Sequence, residues 1–209
     1  MKRILLLALL ASPLLAQESF HRAEQDREIR YWLLEPSTHQ FHFTHDLTIS
    51  EPGKKTAESF LRKGSTAAPD VKMTDLDSGK PLPAHFDEKR QALVGNLDHP
   101  IEPGRSARVR VEETYTDPAG YTLENGELVW KRTLGRPLNF VTLPPGWMLT
   151  SVNTPATITL DSEGRIQMRF VNTRNDELSI VIRARKRTAT VSPQAEEGVK
   201  TLLVPRSGG

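Results

Sequence analysis

Apolar and polar residues alternate along much of the chain between residues 29 and 184, and this alternation predicts β-strands. In Arg165 to Phe170, the side chains of Ile166, Met168 and Phe170 occupy every second position. A period of two places one set of side chains on a buried sheet face and the other set in water. Further strands are predicted in segments 29–34, 41–49, 56–61, 71–75, 91–97, 107–112 and 178–184.

Turn residues separate these strands at short intervals. Asn125-Gly126 is a strong two-residue hairpin signal, and Asp161 to Gly164 supplies a second hairpin connection. Turn signals recur about every 8 to 12 residues, and no helical period appears after the N-terminal segment. The pattern therefore predicts an all-β protein, an antiparallel β-sandwich made of two packed immunoglobulin-like or saddle-like halves.

The alternation and the turns also suggest a division of the chain. A first sandwich half is predicted in 29–116 and a second half in 127–186. A single large sandwich is the alternative, because the Asn-Gly hairpin pairs strands next to this border. Residues 17–28 form a charged lead-in without an apolar stripe, and residues 187–209 lose the alternation and are expected to form a loose tail.

The first 16 residues have the anatomy of a secretory signal peptide. A basic start, Met1-Lys2-Arg3, precedes a short apolar run, and Ala16 offers a small residue for cleavage before Gln17. The run is shorter than the roughly 18 to 20 residues of a membrane-spanning helix. We therefore expect export to the periplasm or the extracellular space, with retention of the segment as an anchor as the alternative.

Composition narrows the chemistry. The chain has 28 basic and 26 acidic residues, so it lacks the basic excess of a nucleic-acid-binding protein. It has no cysteine, which excludes thiol nucleophiles, thiolate metal sites and disulfides. Sequence motifs for serine hydrolases, zinc peptidases, phosphate loops and dinucleotide binding are all missing. We expect a protein without enzymatic activity and without a cofactor.

Two groups of side chains are candidates for binding. Trp147, Tyr115 and Tyr121 could form an aromatic face for a sugar or a protein partner, with Trp147 expected to be partly exposed after Pro-Pro-Gly. His39, His42 and His45 have a spacing that suggests a metal site as a weaker alternative. On a strand, however, His42 points away from the other two, so the three imidazoles do not converge.

Two segments are similar to a known family. The first runs from Leu97 to Ser106 (LDHPIEPGRS) and continues into Val109, Val111 and Tyr115; the second is Leu143 to Trp147 (LPPGW), followed by Glu163-Gly164-Arg165. Together they resemble the N-terminal β domain of zinc aminopeptidases, and also ribophorin-like proteins and β domains associated with exported transglutaminases. The similar region is roughly residues 29–184.

The resemblance implies an accessory β domain without catalytic residues. The HExxH motif of the peptidases is missing, and a chain without cysteine has no transglutaminase triad. The leading hypothesis is an exported, non-enzymatic domain that binds a protein partner in the cell envelope. A carbohydrate-binding module is the first alternative, and a hydrolase with a site outside known motifs is the second.

Overall fold

The structure is a computed structural model that describes residues 28–187, so the predicted signal segment, most of the lead-in and nearly all of the predicted tail lie outside it. Within this range a 3-10 turn at Pro36–Thr38 accompanies sixteen strands. The strands are β1 (Glu28–Leu33), β2 (Gln40–Ile49), β3 (Thr56–Phe60), β4 (Thr66–Ala67), β5 (Lys72–Asp75), β6 (Pro81–Leu82), β7 (Ala84–Asp87), β8 (Ala92–Asn96), β9 (Ala107–Thr116), β10 (Tyr121–Glu124), β11 (Glu127–Leu134), β12 (Leu138–Thr142), β13 (Trp147–Val152), β14 (Thr157–Leu160), β15 (Ile166–Val171) and β16 (Leu178–Lys186).

A nine-stranded sheet extends through the described part of the chain. Its order is β14-β15-β12-β1-β2-β9-β5-β6, and β4 also pairs with β9. All neighbours run antiparallel except β1 and β12, which pair in parallel from Glu28 opposite Leu138 to Trp32 opposite Thr142. The predicted β-sandwich class is confirmed, and this parallel pair is a departure from purely antiparallel order.

Two smaller sheets cover one face of the large sheet. The four-stranded sheet has the order β10-β11-β16-β13, and the three-stranded sheet has the order β3-β8-β7. The odd-numbered side chains of β2 and β9 contribute to the cores beneath both covers, so both covers lie on the same face. The molecule is therefore a sandwich with one continuous layer and one interrupted layer.

The core under the four-stranded sheet is rich in aromatic side chains. Tyr31, Phe41 and Tyr115 from the large sheet meet Trp130 from β11. Ring centroids of Phe41 and Tyr115 stack at 5.1 Å, and those of Tyr31 and Trp130 lie 5.2 Å apart. These distances fall in the range in which aromatic pairs attract beyond simple burial.

The core under the three-stranded sheet is smaller and depends on close approach of the backbone. Leu47, Met73 and Val111 of the large sheet pack beneath Ala57 and Leu93 of the cover. Gly95 in β8 faces Met73, and a Cβ atom placed at Gly95 would lie 2.3 Å from the Met73 Sδ. Glycine at this position therefore lets the two layers meet.

The predicted alternation and turns are present. In β2 the side chains of Phe41, Phe43, His45 and Leu47 are buried. The hairpin between β10 and β11 turns at Asn125 and Gly126, whose φ angles are 52° and 78°. Positive φ at both positions is the geometry of a type I′ hairpin.

Strands from both predicted halves share the large sheet, since β1, β2 and β9 come from 29–116 and β12 and β15 come from 127–186. Where the chain divides into domains stays a prediction. In the described residues, no helix is long and apolar enough to cross a membrane.

We expect Gly95→Ala to lower the free energy of unfolding by about 1–3 kcal/mol, because the new methyl group overlaps the Met73 side chain. Urea denaturation followed by tryptophan fluorescence measures the change. Gly135→Ala is the matched control, since the atoms nearest to a Cβ there belong to the flexible Glu177 side chain and begin at 3.3 Å. Equal effects of the two substitutions would contradict the close-packing argument.

Candidate functional site

A cleft of about 270 Å³ opens where the covering layer is interrupted. The end of β3 and the residues after it form one wall, and the end of β11 with the following loop forms the other. The large sheet forms the floor. We call this site the arginine cleft, because Arg62, Arg132 and Arg136 line it.

The floor of the arginine cleft is mostly apolar. Tyr31, Phe43 and Tyr115 lie there, and each is at most 5% exposed. Phe60 of β3 stands at the rim and is 66% exposed. An exposed phenylalanine next to a buried aromatic floor offers apolar contact to a bound group.

Arg132 is fixed between the aromatic floor and a buried carboxylate. Its guanidinium carbon lies 5.3, 5.0 and 4.9 Å from the ring centroids of Tyr31, Phe41 and Tyr115. Its Nη1 donates to the Asp117 Oδ2 at 3.4 Å. Burial of an arginine is tolerated when rings and a carboxylate surround it, as they do here.

Asp117 connects two of the arginines. Its side chain is 4% exposed, and its Oδ2 also lies 3.9 Å from the Arg62 Nη1. The backbone N–H of Gly120 donates to the Asp117 Oδ1 at 2.9 Å. A Cβ at Gly120 would lie 2.5 Å from the Asp117 Oδ2, so glycine is needed for this arrangement.

His45 and Arg136 form the other end of the cleft. The Arg136 Nε donates to the His45 Nε2 at 3.1 Å, so Nε2 carries no proton in this hydrogen bond. The lone pair of Nε2 is thus engaged by a cation, whereas a catalytic base keeps such a lone pair for the proton of its substrate. Glu177 lies in the same wall and contributes one negative charge.

Glu113 is a buried carboxyl group between the two cores. It lies on β9 between Val111, which belongs to the smaller core, and Tyr115, which belongs to the aromatic core. Its side chain is fully buried, and neither carboxyl oxygen has a hydrogen-bond partner within residues 28–187. Burial, and secondly the nearby negative charge of Asp70, raise the pKa of Glu113 to about 8.

The three aromatic side chains proposed from the sequence are core residues. Trp147, Tyr115 and Tyr121 are 4%, 2% and 0% exposed. Trp147 is therefore less exposed than the sequence suggested, because it packs in the aromatic core. As placed, these three rings do not form the exposed, coplanar platform that a sugar-binding module needs. Only Tyr115 contributes to the arginine cleft.

The three histidines lie in different surroundings. His39 precedes β2 with a φ of 56°, and its Nδ1 lies 2.7 Å from the Tyr121 carbonyl oxygen. His42 lies beside the Trp32 ring, whereas His45 lines the cleft. Among residues 28–187, no group of three or more His, Asp or Glu side chains could hold a metal ion.

The sequence reasoning missed the arginine cleft, although a signal was present. In β11, Leu128, Trp130 and Leu134 face the core, and Arg132 occupies the same side of the strand. Glu113 breaks the apolar pattern of β9 in the same way. In both strands a charged residue stands at a core-facing position where the alternation predicts an apolar one, and such exceptions are typical of functional sites.

No protein-family model and no curated protein matches this chain. Solved structures do match. The M1 zinc metallopeptidase from Deinococcus radiodurans is 13% identical with a TM-score of 0.50, and the match covers 76% of this chain and 41% of that one. A point mutant of that enzyme bound to a Tyr-Ser-Ala substrate is 14% identical, with the same TM-score and coverage.

At this level of identity the match shows a shared fold alone. The resemblance to the N-terminal β domain of zinc aminopeptidases is confirmed in that sense. The chain spans less than half the length of the matched peptidase. The likeness to ribophorin-like and transglutaminase-associated domains stays a prediction.

We expect Glu113 to make the stability of the fold depend on pH. The pKa of Glu113 in the folded protein is about 8, whereas the ordinary pKa of a glutamate side chain is 4.5. The free energy of unfolding therefore falls as the pH rises from about 4.5 to about 8, because only the folded state keeps the proton bound. Urea denaturation at pH 5, 6, 7 and 8 (roughly spanning that window) measures the slope.

Glu113→Gln should flatten this pH dependence and should raise stability near pH 8, since the amide carries no charge. The matched control is Glu112→Gln, which changes the neighbouring carboxyl group on the other face of β9. An unchanged slope in Glu113→Gln would show that other groups cause the pH dependence.

Proposed function

We propose that this chain is an exported, non-catalytic β domain that binds a protein partner of the cell envelope in the arginine cleft. The ligand group is an acidic side chain of the partner with an apolar side chain next to it. The observation that carries this proposal is the meeting of three arginines over an aromatic floor in the interruption of the covering layer.

The balance of charge in the cleft favours an acidic ligand. Among the residues that line the cleft, Arg62, Arg132 and Arg136 contribute three positive charges and Glu177 contributes one negative charge. Asp117, which contacts Arg62 and Arg132 from beside the cleft, contributes a second negative charge. Glu113, which is opposite Phe43 of the floor on the neighbouring strand, has a pKa raised to about 8 and so adds no negative charge at neutral pH. The remaining positive charge attracts a carboxylate, for which a guanidinium group is a geometrically matched donor.

Arg62 is the arginine best placed to reach a ligand. Its side chain is 39% exposed, whereas that of Arg132 is 13% exposed and held by Asp117 and the rings. The backbone N–H of Arg62 donates to the Tyr115 hydroxyl at 2.6 Å, which fixes this segment to the floor. In our proposal Arg132 sets the potential of the cleft and Arg62 contacts the ligand.

The exposed ring of Phe60 supports the apolar part of the proposed ligand. It stands at the rim of the cleft and also borders a second hollow of about 280 Å³ along β3. His45 and Arg136 line both hollows. A peptide lying along β3 would thus place a carboxylate near the arginines and an apolar side chain on Phe60.

Two observations support a non-catalytic role. The chain shares its fold with a part of the matched peptidases that covers 41% of their length, and we take that part to be their accessory β domain. The Nε2 of the one histidine that lines the cleft accepts a hydrogen bond from an arginine. Export is supported by the signal-like segment at residues 1–16.

The binding proposal predicts which peptides the protein selects. We expect random peptides displayed on phage to be enriched in Asp or Glu beside Phe or Leu when selected on residues 17–209. Affinity for a selected peptide should fall about 10- to 100-fold in Arg62→Gln, since a charge-assisted hydrogen bond is lost. Binding should also weaken with added salt.

Arg185→Gln is the matched control, because it removes the same charge from an exposed position outside the cleft. When the acidic residue of the peptide is replaced by its amide, the affinity should fall by the same factor for the wild-type protein and for Arg185→Gln. Selection of neutral peptides, or equal affinity of wild type and Arg62→Gln, would refute the acidic ligand.

Export predicts a defined mature N-terminus. Expression of the full chain in a bacterial host should yield a periplasmic protein that begins at Gln17, after removal of residues 1–16. N-terminal sequencing of the periplasmic fraction measures this. Recovery of an intact Met1 on a membrane-bound protein would instead support retention of the segment as an anchor.

A further inference from the structure

The outer strands of the three sheets differ in how they are protected. A strand at the edge of a sheet presents unpaired backbone groups, and proteins usually protect it with charge, proline, a bulge or very short length. Within residues 28–187 the edge strands of the three sheets are β6 and β14, β10 and β13, and β3 and β7, in addition to the short strand β4.

Every edge except that of β14 shows such protection. β4 and β6 have two residues each, and β6 begins with Pro81. β13 contains a register shift between Leu149 and Ser151. Charged side chains lie in the other three, namely Glu58 in β3, Asp87 in β7 and Glu124 in β10.

The edge strand β14 has the sequence Thr157-Ile158-Thr159-Leu160, without charge or proline. It pairs with β15 in a regular register, with Ile158 opposite Met168 and Leu160 opposite Ile166. Met168 is fully buried, so Ile158 and Leu160 lie on the core face of the sheet. They are nevertheless 52% and 68% exposed.

The outward backbone groups of β14 belong to the same two residues. The N–H of Asp161 donates to the carbonyl oxygen of Arg165 at 2.9 Å, so Asp161 is bonded toward β15. In an antiparallel pair the bonded residues recur at every second position. Thr159 and Thr157 are then also bonded inward, and the N–H and C=O groups of Ile158 and Leu160 point to the free edge.

We propose that β14 pairs with β14 of a second copy of this chain, in an antiparallel arrangement about a two-fold axis through Thr159. This axis places Ile158 opposite Leu160 of the second copy, and each such pair exchanges two backbone hydrogen bonds. Four apolar side chains then adjoin one another on one face. The proposal is independent of the arginine cleft.

The strand is self-complementary in this register. Apolar residues lie one position before and one position after Thr159, so the two-fold axis pairs apolar with apolar and keeps each on the core face. Two positions away, Asp161 lies opposite Thr157 of the second copy, which avoids the repulsion of two facing carboxylates. The other face, with Thr157 and Thr159 beside Arg169 and Gln167, stays polar.

Sedimentation velocity of residues 17–209 over a range of concentrations tests the association. We expect a dimer that forms reversibly, because β14 has four residues and two such strands make a small interface. Ile158→Lys should raise the dissociation constant at least about tenfold, since it places a charge at the free edge. Val171→Lys is the matched control, because Val171 is 53% exposed and its side chain lies on the opposite face of the sheet, in the neighbouring strand β15.

Disulfide cross-linking tests the register, because the chain has no cysteine of its own. In the proposed dimer the two copies of Thr159 face each other in a pair without hydrogen bonds between them, where Cβ atoms are close enough for a disulfide. Thr159→Cys should therefore form a covalent dimer on mild oxidation. Thr157→Cys, on the same face of the same strand, should form much less.

Circular dichroism confirms that each variant is folded before it is compared. A protein that stays monomeric at all concentrations overturns the proposal. A dimer that Ile158→Lys leaves intact overturns it too, because the contact then lies elsewhere. Preferential cross-linking of Thr157→Cys overturns the two-fold axis through Thr159.

Discussion

The antiparallel pairing of β2 with β9 holds the structure together. Ten residue pairs join Gln40–Ile49 to Ala107–Thr116, and their odd-numbered side chains face both cores. Toward one end Phe41 and Tyr115 stack under the four-stranded sheet, and toward the other Leu47 and Val109 pack under the three-stranded sheet. Because both covers rest on this ladder, a change in its register would disturb the two cores together.

The interruption between the covers is where charged groups enter the interior. Arg132 projects from β11 over three aromatic rings and meets Asp117, which Gly120 allows to come close. Glu113 lies on β9 between the two cores and keeps its proton, because burial and secondly the negative charge of Asp70 raise its pKa to about 8. Arg132 and Glu113 therefore take part both in the packing between the layers and in the electrostatics of the cleft.

Much of the fold follows from local patterns in the sequence. Alternation in β2, β9 and β15 and the Asn125-Gly126 turn predict strands and hairpins, because a period of two and a positive φ are properties of short segments. The parallel pairing of β1 with β12 could not be predicted, since it joins segments far apart in the chain. The sharing of one sheet by both predicted halves follows from that pairing.

The candidate site was harder to predict than the fold. Its arginines come from the segment after β3, from β11 and from the loop after β11, and only the assembled layers bring them together. Trp147 and Tyr121 were attractive candidates because large aromatic side chains suit both binding faces and cores, and burial decides between the two. The charged residues Arg132 and Glu113 at apolar positions were the informative signal, since a buried charge is costly and needs a reason.

The parallel pairing of β1 with β12 also determines the order in which the fold can assemble. Glu28 pairs with Leu138, so β1 has only β2 as a neighbour until most of the described chain has been synthesised. An isolated hairpin is marginally stable in water, and contacts between distant segments form slowly. The large sheet can therefore be completed only after β12 has been synthesised, whereas β2, β9 and β5 can pair earlier.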